Sequence, residues 1–203
     1  MRDSTIMAPY YHKVYIPFTI EEYINLEVIE TLNINLSITE DNYVRKDVLS
    51  KDILNYDFCA YVENIAQMKI GKILLWHWRI TNPNVAHVDC DVTGVISPHG
   101  AFNWTYSTEY SSVQWYDVPF KEQLYMGNEF DKKYNFNTPT SYIPVPNIDM
   151  TTKDDEWDDQ GPAIINTSIP HMIYAPNTRV SVSLQFAGLY SFNDLYERFK
   201  NVS

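Results

Sequence analysis

From Lys72 onward the chain is a succession of short β-prone runs cut by turn clusters, and this pattern restricts the fold more than any other feature. "KILLWHWRI" (72–80) is rich in aromatic and branched residues, and the "TNPN" behind it is a turn signal. Further runs follow: "AHVDCDVTGVIS" (86–97), "GAFNWTYS" (100–107), "SSVQWYDV" (111–118), "AIINTSI" (163–169), "HMIYA" (171–175) and "RVSVSLQF" (179–186). Many short strands in one chain pair off their backbone groups as a barrel or a jelly roll, with any helices packed outside. The segment before Lys72 reads as helical. Thr19 and Glu22 form a capping box ahead of apolar residues through Leu32, and a second helical stretch starts near Ser50 and runs through Ile53, Tyr56, Ala60 and Ile65 to Met68, with Gly71 as its stop. The expected class is mainly β with N-terminal helices.

The expected organisation is one domain over 1–203: a helical lead-in (1–71), a β core (72–187) interrupted by an insertion (119–162), and a C-terminal helix within 188–203 capped by Ser191. The insertion is irregular, aromatic and acidic, holding "NTPTSYIPVPN" and "DDEWDDQGP", and connections of that length are commonly lids or binding loops. The acidic run from Asp154 to Asp159 has no calcium-loop spacing and reads as a solvated loop. A net charge of −11 argues against a nucleic-acid or acidic-membrane partner. No apolar run is long enough to span a bilayer, and the start lacks the apolar region of a secretory signal. With Cys59 and Cys90 as its only cysteines, the chain has no disulfide framework, and a soluble intracellular protein is expected.

Against that background His87 and Asp89 stand out in "NVAHVDCDVTG" (84–94). Residues two apart on a strand project from one face, so both side chains can reach one point. A His-x-Asp triplet alone is weak. The downstream stretch "TSIPHMIYAPNTRVSVSLQF" adds His171, then Arg179 and Ser181, again two apart. Two imidazoles and a carboxylate make the facial triad of non-haem Fe(II) oxygenases, which leaves coordination positions open. Arg179 supplies a planar, permanently charged fork for a carboxylate, with Ser181 as an added hydroxyl donor. Such a pair suits the far end of a dicarboxylic cosubstrate.

In order, spacing and β context, His87-x-Asp89, His171 and Arg179-x-Ser181 resemble the Fe(II)- and 2-oxoglutarate-dependent dioxygenases. "INTSIPHMIYAPNTRVSVSLQF" and "HVDC … AFNWTY … VQWYD" look like small members of that superfamily encoded by bacteria and phages, over roughly residues 72–187. The resemblance implies a double-stranded β-helix (a cupin-like jelly roll) with His87, Asp89 and His171 as ligands of Fe(II). It also implies 2-oxoglutarate held by Arg179 and Ser181, with O2 as the second cosubstrate. The expected reaction is hydroxylation with release of succinate and CO2. Asn103 in "AFNWTY" is a further candidate for binding the cosubstrate or the substrate.

Competing readings exist for each residue. His87 and Asp89 can be a hydrogen-bonded strand pair, and Arg179 and Ser181 the solvent side of an amphipathic strand that buries Val180, Val182, Leu184 and Phe186. His77 and His99 read as structural, Cys90 as packing, Trp115 and Tyr116 as core, and Asp91 competes with Asp89. Two other classes remain open for the whole chain. One is a non-catalytic β-barrel binding or structural module. The other is a cupin-like metalloenzyme without 2-oxoglutarate, in which Arg179 binds substrate. The expected partner is a small molecule, an amino acid or a peptide side chain.

Overall fold

The computed structural model describes residues 10–23, 42–49, 53–80, 86–90, 100–107, 110–116, 141–144, 153–158 and 161–202. Its elements run β1 (Tyr11–Lys13), α1 (Ile20–Tyr23), β2 (Asn42–Leu49), α2 (Tyr56–Ala66), β3 (Ile70–Ile80), β4 (His87–Cys90), β5 (Gly100–Ser107), β6 (Ser112–Trp115), β7 (Ser141–Pro144), β8 (Asp155–Trp157), β9 (Gly161–Asn166), β10 (His171–Phe186) and α3 (Phe192–Phe199).

β10 organises the molecule. Its second half lies between β3 and β5 in a sheet ordered β1-β9-β5-β10-β3-β2. Its first half, from His171 to Tyr174, pairs with β6, and His171 also pairs with His87 of β4, in a second sheet ordered β7-β4-β10-β6-β8. All these pairings are antiparallel, and the register breaks between Ala175 and Arg179 where β10 leaves one sheet for the other. "HMIYA" and "RVSVSLQF" are therefore two halves of one strand, continuous through Pro176, Asn177 and Thr178. Among the described residues neither sheet closes on itself, so the barrel alternative does not hold.

Period-two alternation decides which face meets which layer. Val182 pairs with Trp104 and Leu75, and Leu184 with Phe102 and Ile73. This apolar face packs on Phe58, Val62 and Ala66 of α2 and on Phe192, Leu195 and Phe199 of α3. Burying one such large side chain is worth about 1.5–3 kcal/mol, so this layer dominates the stabilisation of the first sheet. The opposite face of that sheet turns inward. At one end it contributes Ala101, Ala163 and Ile165 to a cluster with Val113, Trp115 and Trp157 from the second sheet. Leu74 and Trp76 of β3 share this face, and the polar positions of β5 and β10 on it form the site described below.

The helices follow their caps. Asn55 caps α2, its side chain accepting from Asp57 N at 2.7 Å and Phe58 N at 3.2 Å. Gln67, with φ 51°, ends the helix. Both ends lie inside the limits expected from Ser50 and Gly71. Gly71 belongs instead to β3, where a Cβ would stand 3.2 Å from the Ala187 backbone nitrogen, closer than an ordinary contact. α3 starts at the expected cap, with Ser191 and Asp194 bonding reciprocally. Glu22 bonds back to Thr19 N at 2.7 Å, half of the expected capping box.

Two expectations need correction. The lead-in 1–71 is not only helical, because β1 pairs with β9 and β2 with β3 at the edges of the first sheet. Charged residues in the middle of "NYVRKDVL" blur its period, as is common on edge strands. The span 119–162 is not wholly an insertion. It supplies β7 and β8, both in the second sheet. No helix among the described residues is long and apolar enough to cross a membrane.

Candidate metal centre

His87 and Asp89 sit two apart on β4, and His171 opens β10 directly opposite His87. Cross-strand partners in an antiparallel sheet share a face, and the three side chains meet there. One ligand atom from each lies within 4.8 Å of the others. His87 Nε2 is 3.8 Å from Asp89 Oδ1, and the two imidazole centroids are 4.5 Å apart, inclined at 51°. The sequence thus named three residues that the fold brings together as a group able to hold a metal ion.

His171 is buried, and its Nδ1 lies 2.9 Å from the Ile169 carbonyl oxygen. A carbonyl can only accept, so Nδ1 is the donor in this bond, which leaves Nε2 as the ring nitrogen available to a cation. A backbone partner of this kind is what orients metal-binding histidines. Asp89 is tied through its backbone, its N–H donating to the Thr167 carbonyl at 2.9 Å. Its side chain is 35% exposed and that of His87 19%, so the group opens toward solvent on the Asp89 side.

The donor chemistry fits a divalent transition metal: two nitrogens and one carboxylate, which from the described residues leave a coordination sphere open. At ligand bonds of about 2.1 Å, neighbouring ligand atoms stand about 3 Å apart. An ion would therefore draw these three inward by no more than about 2 Å, within reach of side-chain rotation.

Arg179, Ser181 and Ser183 lie on the inward face of the first sheet and are 1%, 2% and 4% exposed. That excludes the reading in which the polar side of this strand faces solvent. Both faces are buried, the apolar one under the helices and the polar one toward the second sheet. Arg179 Nη2 donates to Thr105 Oγ1 at 3.1 Å, and Thr105 Oγ1 donates to Ser181 Oγ at 3.1 Å. Asn103 pairs with Ser183 in register and is 8% exposed, and its Oδ1 is buried with no hydrogen-bond partner among the described residues. A guanidinium, three hydroxyls and a carboxamide thus line one polar strip.

Thr105 was not legible as part of this strip. It is an ordinary alternation position in "GAFNWTYS", and only the register that sets it opposite Ser181 reveals it. Trp115, expected as core, is fully buried and pairs with His171 on its other side. Part of the expected lid segment lies beside the ligands, since β7 aligns Tyr142 with Asp89 and Pro144 with His87. The side chains of His77 and Cys90, together with Asp91 and His99, fall outside the described residues.

No family model matches the chain, and no curated protein matches it. Among solved structures, the X-ray structure of E. coli ycfD matches with a TM-score of 0.39 and 11% identity, over 88% of this chain and 49% of that one. The chain therefore spans about half the length of that neighbour.

Proposed function

We propose that this chain is an Fe(II)- and 2-oxoglutarate-dependent dioxygenase on a double-stranded β-helix. The observation that carries the reading is the meeting of His87, Asp89 and His171 within 4.8 Å, in a fold that also buries Arg179 against hydroxyls on its inward face. The strand sequence supports the fold assignment. β3, β5, β9 and the second half of β10 fall in one sheet, while β4, β6, β8 and the first half of β10 fall in the other. Chain alternation between two four-stranded layers is the pattern of a jelly roll, with β1, β2 and β7 added at the edges.

His87, Asp89 and His171 would hold the iron, leaving positions open for other ligands. Iron at that position supplies dioxygen activation coupled to conversion of 2-oxoglutarate to succinate and CO2, with hydroxylation of a substrate. The protein's own part is binding and orientation. Arg179 takes the far carboxylate as a two-pronged donor, Ser181 adds a hydroxyl, and Thr105 accepts from Nη2 and fixes the plane of the fork. Burial keeps water away from this pairing, which strengthens it relative to an exposed one. Asn103 contributes a buried carboxamide to the cosubstrate or the substrate. The substrate class is a peptide side chain, an amino acid or a small metabolite, in keeping with an acidic chain.

The test is anaerobic loading with Fe(II) and 2-oxoglutarate, then exposure to O2 with a panel of candidate substrates while succinate is measured. Stoichiometric iron and substrate-stimulated succinate release are expected. A chain that takes up no Fe(II) is a binding or structural module. One that binds Fe(II) but never forms succinate is a metalloenzyme of another kind.

A further inference from the structure

The turn between β9 and β10 is bonded to the metal-ligand group at more points than a simple connection requires. Thr167 O accepts from the Asp89 N–H, Ile169 O from His171 Nδ1, and Pro170 O from the Tyr116 N–H, each at 2.9 Å. Two of the three ligand residues are thus oriented by carbonyls two positions apart on one short segment. What folds that segment is Asn166. Its Oδ1 accepts from Ser168 N at 3.1 Å and from Ser168 Oγ at 2.6 Å, which curls the chain over residues 166–168. Its backbone is fixed on both sides, the N–H donating to Tyr10 O at 2.8 Å and the carbonyl accepting from Trp115 Nε1 at 2.9 Å.

We propose that Asn166 is a positioning residue for the metal centre. Its side chain sets the 166–170 turn so that Thr167 and Ile169 present their carbonyls to Asp89 and His171. This rests on the assignment of His87, Asp89 and His171 as metal ligands. Asn166 touches neither the ion nor a cosubstrate. It acts through the direction of two carbonyls, one of which selects the His171 tautomer. A carbonyl displaced by a fraction of an ångström loosens the Nδ1–H bond and lets the ring turn away from the geometry it shares with His87. Groups bonded directly to metal ligands typically change metal affinity by about 10- to 100-fold, and Asn166 sets the direction of two of them. An ordinary turn former would affect folding and leave the metal site unchanged once folded.

The experiment uses the full chain and Co(II) as the probe, with visible absorption reading coordination and titration reading affinity. The wild-type chain binds one Co(II), and His171→Ala removes that binding. Asn166→Ala is expected to weaken Co(II) by about 10- to 100-fold and to alter the absorption band. Asn166→Asp, which keeps a side-chain acceptor for Ser168, is expected to restore both. If Asn166→Ala fails to fold, Ser168→Ala reads the same turn, since it removes one of the two donors, and a smaller weakening is expected. Wild-type affinity and spectrum in folded Asn166→Ala, or in Ser168→Ala where that variant is used instead, would overturn the proposal and leave the ligand assignment standing. So would an Asp variant as weak as the Ala one. A wild-type chain that binds no Co(II) removes the ligand assignment, and this inference with it.

Discussion

Substituting Arg179 tests the cosubstrate assignment most directly, and Met is the right replacement. The side chain is 1% exposed, so Ala would add a cavity penalty to any loss of charge, whereas Met keeps most of the volume. What Met removes is the charged fork. Loss of one partner of a buried, hydrogen-bonded charge pair costs about 2–5 kcal/mol, which at 1.4 kcal/mol per tenfold weakens 2-oxoglutarate by roughly 30-fold to several thousand-fold. Thr105→Val provides the scale for a neutral contact. It deletes the acceptor for Nη2 and the donor to Ser181, and each such bond is worth about 0.5–1.5 kcal/mol net. Because Thr105 acts through Arg179, the double variant is expected to be no weaker than Arg179→Met alone, a non-additive result. The assay is anaerobic calorimetric titration of 2-oxoglutarate into metal-loaded protein, with metal content measured in parallel. Metal content is expected to stay at the wild-type level, since His87, Asp89 and His171 are untouched. Unchanged 2-oxoglutarate affinity in Arg179→Met would refute the anchor, and Arg79 on β3 would be the next residue to substitute.

Alanine at His87, Asp89 or His171 should each abolish stoichiometric iron binding, read by elemental analysis, and full iron occupancy in His171→Ala would rule out the triad. A second outcome concerns pH. Burial pushes Glu156 up, but hydrogen bonds from Lys153, Ser112, Tyr110 and Gln114 outweigh it and hold its pKa down to about 2 from 4.5. A depressed carboxylate stabilises the fold fully above its unfolded value and loses that contribution as pH falls through its folded one. The denaturation midpoint should therefore drop between about pH 4.5 and pH 2, and Glu156→Gln should flatten that slope. The contribution is roughly 3 kcal/mol at most, reduced by solvent screening. Finally, Gly100→Ala would set a Cβ 2.9 Å from Phe192 Cδ2 and 3.0 Å from the Ile165 carbonyl, where α3 meets the first sheet. A loss of about 1–3 kcal/mol by denaturant titration is expected from such overpacking, and wild-type stability would contradict the close approach.

What the sequence disclosed and what it withheld follow from where the determining forces lie. "GAFNWTYS" spans the same residues as β5 because alternation, aromatic content and the flanking glycine all agree. Ser191 was legible as a cap because the Ser191–Asp194 box is complete within four residues. The ligand residues were legible because two same-face pairs and one histidine carry most of the pattern. β7 and β8 were not, since strands of three or four residues between prolines and acids exist only through the neighbours they pair with. "APNT" reads as a turn, and it continues β10 because the strand changes sheets there, with the register break absorbing the bend. Thr105 stayed hidden because only the strand register sets it opposite Ser181, and Asn166 because it acts through a hydrogen bond to Ser168, which the linear pattern does not connect with the site.

The continuity of β10 also has a consequence for motion. Its residues 179–184 are flanked by β3 and β5, while residues 171–174 pair with β6 and only His171 meets β4. Amides flanked on both sides exchange with solvent only when a large part of the structure opens. Arg179 therefore has strand neighbours on both sides and is not released by local fraying, whereas His171, the first residue of the strand, is held by β6 and by a single position of β4. Deuterium uptake over residues 179–184 should accordingly appear as one slow cooperative phase, with edge strands such as β1 and β8 exchanging well before it.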